Sequence, residues 1–161
     1  MRSAVVVAKP PGYFLDADLD IVLNRTLTDA LERGVHLHFL LDLDITRPRG
    51  WYWFDEHMGS ASRKLHLYYH LLLRRYVVET GYTTRTVSSL TEALALLGKV
   101  EDWQVLERGT LRPGQRYEAS LRFRLDTSRL PKALSIGAVT SDRWVLAAPR
   151  HVWTFEAPPL P

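Results

Sequence analysis

The chain has 161 residues, 46% of them apolar and 24% charged, with a net charge of +3 and no cysteine. That balance excludes a disordered chain, a disulfide framework, a thiolate zinc site and a cysteine nucleophile. No apolar run approaches the roughly 20 residues of a membrane helix, so no transmembrane segment is expected.

In chain order, Met1–Ala8 combines a positive start with a short apolar run that stops at Lys9-Pro10-Pro11. It is too short for a secretory core and is read as a first β-strand, so the chain is expected to lack a signal peptide. Leu15–Leu23 alternates apolar odd positions with Asp16, Asp18 and Asp20, the period of a half-buried strand. The aspartate stripe lacks the glycine and terminal glutamate of an EF-hand loop. It is expected to pair across strands with arginines such as Arg122 and Arg124. A short helix follows over Leu27–Arg33, with Thr26 as N-cap and Gly34 ending it.

Val35–Ile45 alternates again, with odd positions toward a core and His36, His38, Asp42 and Asp44 on the other face. Next comes Arg47-Pro48-Arg49-Gly50-Trp51-Tyr52-Trp53-Phe54-Asp55, where Pro48 and Gly50 suggest a bulge or strand break. Four consecutive aromatics cannot all enter one core from an extended segment, because neighbours point to opposite faces. Either the outward rings pack beneath a loop, with an arginine stacked on them, or they form a binding surface. Arginine and aromatic side chains dominate binding hot spots. The candidate binding residues are therefore Arg47, Arg49, Trp51, Tyr52, Trp53, Phe54 and Asp55.

Leu65–Leu71 places His66 and His70 on one strand face, and shorter strands are expected over Tyr76–Thr80 and Tyr82–Val87. If the two histidine strands pair, four imidazoles share a face. The chain offers no HExxH motif, so a solvated polar face is expected and no metal site is assigned. A second short helix spans Leu90–Leu97, capped by Ser89 with Glu92 three residues on and closed by Gly98. Trp103–Glu107 is another short strand. In Leu111-Arg112-Pro113-Gly114-Gln115-Arg116-Tyr117 a Pro-Gly turn leads into a strand through Tyr117. This resembles a tyrosine corner, in which a phenol bonds to backbone just upstream. Tyr117 is the structural residue singled out. Ala119–Asp126, Trp144–Ala147 and Val152–Phe155 complete the strands, and the end is loose and proline-rich.

One polar face per strand is the habit of antiparallel sheets. The expected fold is a mainly β, antiparallel Greek-key-like β-sandwich with two short connecting helices, one domain over residues 1–161. The 17 arginines and four lysines are scattered, with Arg74-Arg75 the only adjacent arginines, so nucleic acid is not an expected partner. No nucleophile elbow, P-loop or dinucleotide fingerprint is present, so no enzyme activity, catalytic residue or cofactor is assigned.

The run Arg47–Glu56 resembles the signature of a proteobacterial family of unknown function, domain-of-unknown-function family 4390, often labelled proline-rich signal peptide proteins. Thr28–Val35, Leu90–Leu94, Leu125–Lys132 and Ser141–Trp144 fit the same family in the same order. The resemblance implies a periplasmic or otherwise exported bacterial envelope protein, because family members usually begin with a secretory signal. Their genes often neighbour a nitrogen-responsive sensor kinase, which implies envelope sensing. A non-catalytic module with a protein partner in the envelope is the expected function. A ligand-binding protein or hydrolase acting on envelope glycans is the alternative.

Overall fold

The computed structural model describes residues 1–48, 56–132 and 149–161. Pro10 and Pro11 cannot extend a strand ladder, and they form the two-residue link between β1 (Ser3–Lys9) and β2 (Gly12–Asp18). The remaining elements are α1 (Arg25–Glu32), β3 (Leu37–Arg47), β4 (Glu56–His70), β5 (Arg75–Thr80), β6 (Thr83–Val87), α2 (Leu90–Gly98), β7 (Lys99–Glu107), β8 (Arg116–Leu125) and β9 (His151–Glu156). A 3-10 turn over Thr127–Arg129 follows β8.

The described strands form two antiparallel sheets, β1-β2-β7 and β6-β5-β4-β3-β8-β9. β8 returns to lie beside β3, on the side away from β4. The order β8-β3-β4-β5 is that of a Greek key, with β6, α2 and β7 inserted in the return. One core lies between the sheets. It joins Tyr13, Leu15 and Leu106 of the small sheet to Leu37, Phe39, Leu41, Leu43 and Ile45 of β3. All five β3 residues are at most 1% exposed, so the alternation of this segment reports its burial directly.

Several boundaries differ from expectation. The aspartate-striped strand ends at Asp18, and the Leu19 N–H turns to the carbonyl of Gly98 at 2.8 Å. Helix α1 starts at Arg25, and Asn24, not Thr26, is its N-cap: its Oδ1 accepts from the Leu27 N–H at 2.9 Å. Its end is a Schellman motif, with Gly34 N–H to Leu31 and Val35 N–H to Ala30. At α2 the Ser89 hydroxyl caps the Glu92 N–H, and the helix runs through Gly98 rather than closing before it. Strand β4 starts nine residues before Leu65. Its first half faces inward through Gly59 and Ala61, opposite Ile45 and Leu43, and so shows no apolar alternation. Leu106 of the opposite sheet occupies the space at Gly59. β3 stops at Arg47, the residue before Pro48. The bulge nearby lies on β4, where Met58 is the extra residue between the Ile45–Gly59 and Thr46–His57 pairs. The expected strand Trp144–Ala147 lies outside the described residues.

Candidate functional site

The outward face of β3 presents His38, Asp42, Asp44 and Thr46, opposite the core-facing leucines. Register decides what each meets. Asp42 is paired with Ser62 of β4 and Arg122 of β8; Asp44 is paired with Ser60 and Ser120. The Ser62 hydroxyl donates to Asp42 Oδ1 at 2.7 Å, and Arg124 Nε donates to Oδ2 at 2.9 Å. Burial works against the charge on Asp42. The hydrogen bonds from Ser62 and Arg124, with Arg122 close by, outweigh it and hold the carboxyl below the usual range.

These side chains line a concave cavity of about 400 Å³ with Arg150 on its rim. Beside it His57 Nε2 lies 3.6 Å from Asp44 Oδ1. Ser120 Oγ is buried at this cavity with no hydrogen-bond partner among the described residues. The site thus combines fixed carboxylates, hydroxyls and three guanidinium groups, a set suited to a polar or charged ligand group. The arginine stripe was expected to answer Asp16, Asp18 and Asp20, and here the structure corrects the sequence reading. Those aspartates lie on or just after β2, in the other sheet. Asp16 accepts from the Asp102 N–H at 2.8 Å, and Asp20 lies 3.7 Å from Arg2.

Of the residues expected to bind, Arg47 is described: it ends β3, pairs with Glu56 across the ladder, and its Nη1 is 3.9 Å from Glu56 Oε2. Arg49, Trp51, Tyr52, Trp53, Phe54 and Asp55 lie outside the described residues. Both anchors of their segment, Arg47 and Glu56, belong to the β3–β4 pair that carries the cavity, a few rungs away. Tyr117 is buried at the start of β8, and its hydroxyl accepts the Arg112 N–H at 2.9 Å.

The family model for the domain of unknown function (DUF4390) matches residues 1–154, nearly the whole chain. The chain belongs to the DUF4390 family. Comparison with curated proteins and with solved structures finds no match.

The DUF4390 chain carries a second polar group on the same sheet face. His38 pairs with His66, and their rings stack at 4.2 Å. His36 Nδ1 lies 2.8 Å from His66 Nε2, while its ring stacks on Tyr68 at 4.2 Å. His66 Nδ1 lies 2.9 Å from Glu79 Oε2. If Glu79 accepts from His66 Nδ1, then His66 Nε2 is the acceptor and His36 the donor, which orders all three groups in one line. Three of the four histidines therefore converge, His36 and His38 each contacting His66 directly. His70 does not join them; its Nδ1 accepts the Leu73 N–H at 3.2 Å. Among the described residues no group of three or more ligands is placed to hold a metal ion.

Burial, first, and then the neighbouring His66, Arg129 and His36 push the His38 imidazole down to about 4, against the opposing pull of Asp126. A histidine pKa depressed by folding contributes stability above its ordinary value of 6.5. That contribution is lost as pH falls from 6.5 through about 4. His38→Gln is expected to flatten this part of the stability profile. Urea midpoints across that range check it, and an NMR titration placing the wild-type His38 midpoint at or above 6.5 would refute the assignment.

Sequence reasoning missed Ser60, Ser62, Ser120 and Arg150. Serine alternation is a weak strand signal, and only the pairing of β3 with both β4 and β8 brings the three serines to Asp42 and Asp44, while β9 pairing with β8 carries Arg150 to the cavity. The available signal was the outward position of those two aspartates.

Proposed function

We propose that the chain is a non-catalytic binding module of the bacterial envelope. Its recognition surface joins the arginine- and tryptophan-rich segment 47–55 to the adjoining polar cavity of the large sheet. The observation that carries this reading is the cavity itself: a concavity on the sheet face opposite the core, with Arg122, Arg124 and Arg150 around it and a buried Ser120 hydroxyl that has no partner among the described residues. A buried polar atom without a partner is a cost that a ligand group removes. An acidic or hydroxyl-rich partner surface matches the arginines and Ser120. Periplasmic placement and a role beside an envelope sensor rest on the family resemblance.

The test is co-purification from envelope extract with the wild-type chain, the Trp51→Ala/Trp53→Ala variant and the Arg122→Ala variant, read by mass spectrometry. The expected result is a defined partner retained by the wild type and lost by both variants, each still folding cooperatively. Unfolding of the tryptophan variant would place those rings in the core and remove them from the surface. The cavity also favours a second reading, recognition of an envelope glycan. Retention of peptidoglycan fragments by the wild type, lost on Asp44→Ala, would select it over a protein partner.

A further inference from the structure

At the far end of β4 from the cavity's hairpin, the β4–β5 turn presents Leu71, Leu72 and Leu73. They are 59%, 92% and 61% exposed. Three successive leucines around a turn point in different directions, so no single flat or grooved protein surface covers all of them, whereas a fluid apolar phase does. The turn is preformed: His70 Nδ1 holds the Leu73 N–H, and Arg74 sits in the left-handed region at φ 51°.

Charge and aromatic rings follow the leucines in layers. Arg74 and Arg75, the only adjacent arginines of the chain, come directly after them and are exposed. Arg33 joins them, because its neighbour Gly34 lies against the Leu71 side chain. Glu32 is the acidic group on this side, near Tyr76. One rung behind the His70–Arg75 pair, Tyr69 and Tyr76 face each other with rings 4.8 Å apart. Leucines at the tip, with arginines and tyrosines just behind them, match the two layers a lipid monolayer presents: acyl chains, then a headgroup level that takes both cationic side chains and interfacial tyrosines.

We infer that this hairpin tip docks on an anionic lipid bilayer, inserting Leu71–Leu73 while Arg33, Arg74 and Arg75 meet the headgroups. No helix of the described residues is long and apolar enough to cross a membrane. The inference stands apart from the proposed partner surface. Along β4, Ser62 at the cavity and Leu71 at the tip are nine residues apart, about 30 Å at 3.3 Å per residue.

The test uses the full chain with vesicles of phosphatidylcholine alone or mixed with phosphatidylglycerol, read by flotation. Binding is expected to the mixed vesicles, weakening as salt rises. Leu71→Ser/Leu72→Ser/Leu73→Ser is expected to lower it more than about tenfold, and Arg74→Gln/Arg75→Gln about fivefold per arginine. Urea midpoints should hardly move, since the side chains are exposed; should the triple variant fail to fold, Leu72→Ser alone serves. Absence of wild-type binding to mixed vesicles at low salt overturns the inference. So does equal binding by the serine variant. Wild-type self-association that the serine variant abolishes, without vesicle binding, would assign the tip to a second copy of the chain instead.

Discussion

Replacing Tyr117 by phenylalanine is expected to destabilise the fold by about 1–3 kcal/mol, although it removes a single oxygen atom. Between β7 and β8 the chain crosses from the small sheet to the large one, and backbone groups there leave both ladders. The Tyr117 hydroxyl accepts the Arg112 N–H at 2.9 Å, and the Tyr13 hydroxyl donates to the Leu111 carbonyl at 3.1 Å. That N–H and that carbonyl belong to one peptide unit. Tyr13 comes from β2 and Tyr117 from β8, so each sheet contributes one phenol to the same peptide. Their rings are 0% and 1% exposed, so neither bond is exchanged for water at low cost. Phenylalanine keeps the ring packing and removes only the bond.

Two further outcomes separate this account from simple packing loss. Tyr13→Phe should cost a similar amount, and the double variant less than the sum, because a crossover freed on one side relaxes toward solvent. Tyr13 is also held protonated: burial, and then the nearby Tyr117, push its pKa above 10. A phenol raised in the folded state contributes stability below its ordinary value, lost as pH rises from 10 through the folded value. Urea unfolding of the four proteins at neutral and alkaline pH measures all of this. Full additivity, or no effect of Tyr117→Phe, would remove the clamp from the account.

What the sequence made legible depended on whether one strand sufficed to show it. Leu37 to Ile45 alternate because a single strand half buries them, and period 2 appears without knowledge of any partner. The Ser89 cap of α2 is likewise local, and so is the Tyr117–Arg112 bond, only five residues long. Features that need a partner strand were illegible. The first half of β4 has Gly59 and Ala61 inward, and at Gly59 Leu106 fills the space from another sheet, which erases the apolar signal. The second phenol of the clamp, Tyr13, stands 98 residues from Leu111. Arg122 and Arg124 were recognisable as a stripe, but two aspartate stripes, Asp16, Asp18 and Asp20 and then Asp42 and Asp44, competed for them. Only β8 lying beside β3 assigns Arg124 to Asp42. The candidate cavity shares this origin, since β3, β4 and the distant β8 each line it, with Arg150 from just before β9.

Gly98→Ala gives the second large effect, with the opposite sign to the usual one. In a helix, alanine is ordinarily about 1 kcal/mol better than glycine. Gly98 is the last residue of α2, and a Cβ there would stand 2.1 Å from the Leu19 carbonyl oxygen and 3.1 Å from its carbon. Both are backbone atoms, so no rotamer change relieves the clash. α2 and residues 19–24 must then separate. That strains the Leu19 N–H bond to the Gly98 carbonyl and loosens the packing of Ile21 and Leu97, which are 8% and 0% exposed. Overpacking of this kind costs about 1–3 kcal/mol and at times more, which exceeds the propensity gain wherever backbone meets backbone. The variant is expected to melt a few degrees lower, at about 2–4 °C per kcal/mol for a chain of this size. Its Leu19 amide should exchange faster with solvent than that of the wild type. A Gly98→Ala protein that melts higher than the wild type would show that residues 19–24 yield freely, and that the close approach does not hold the small sheet to α2.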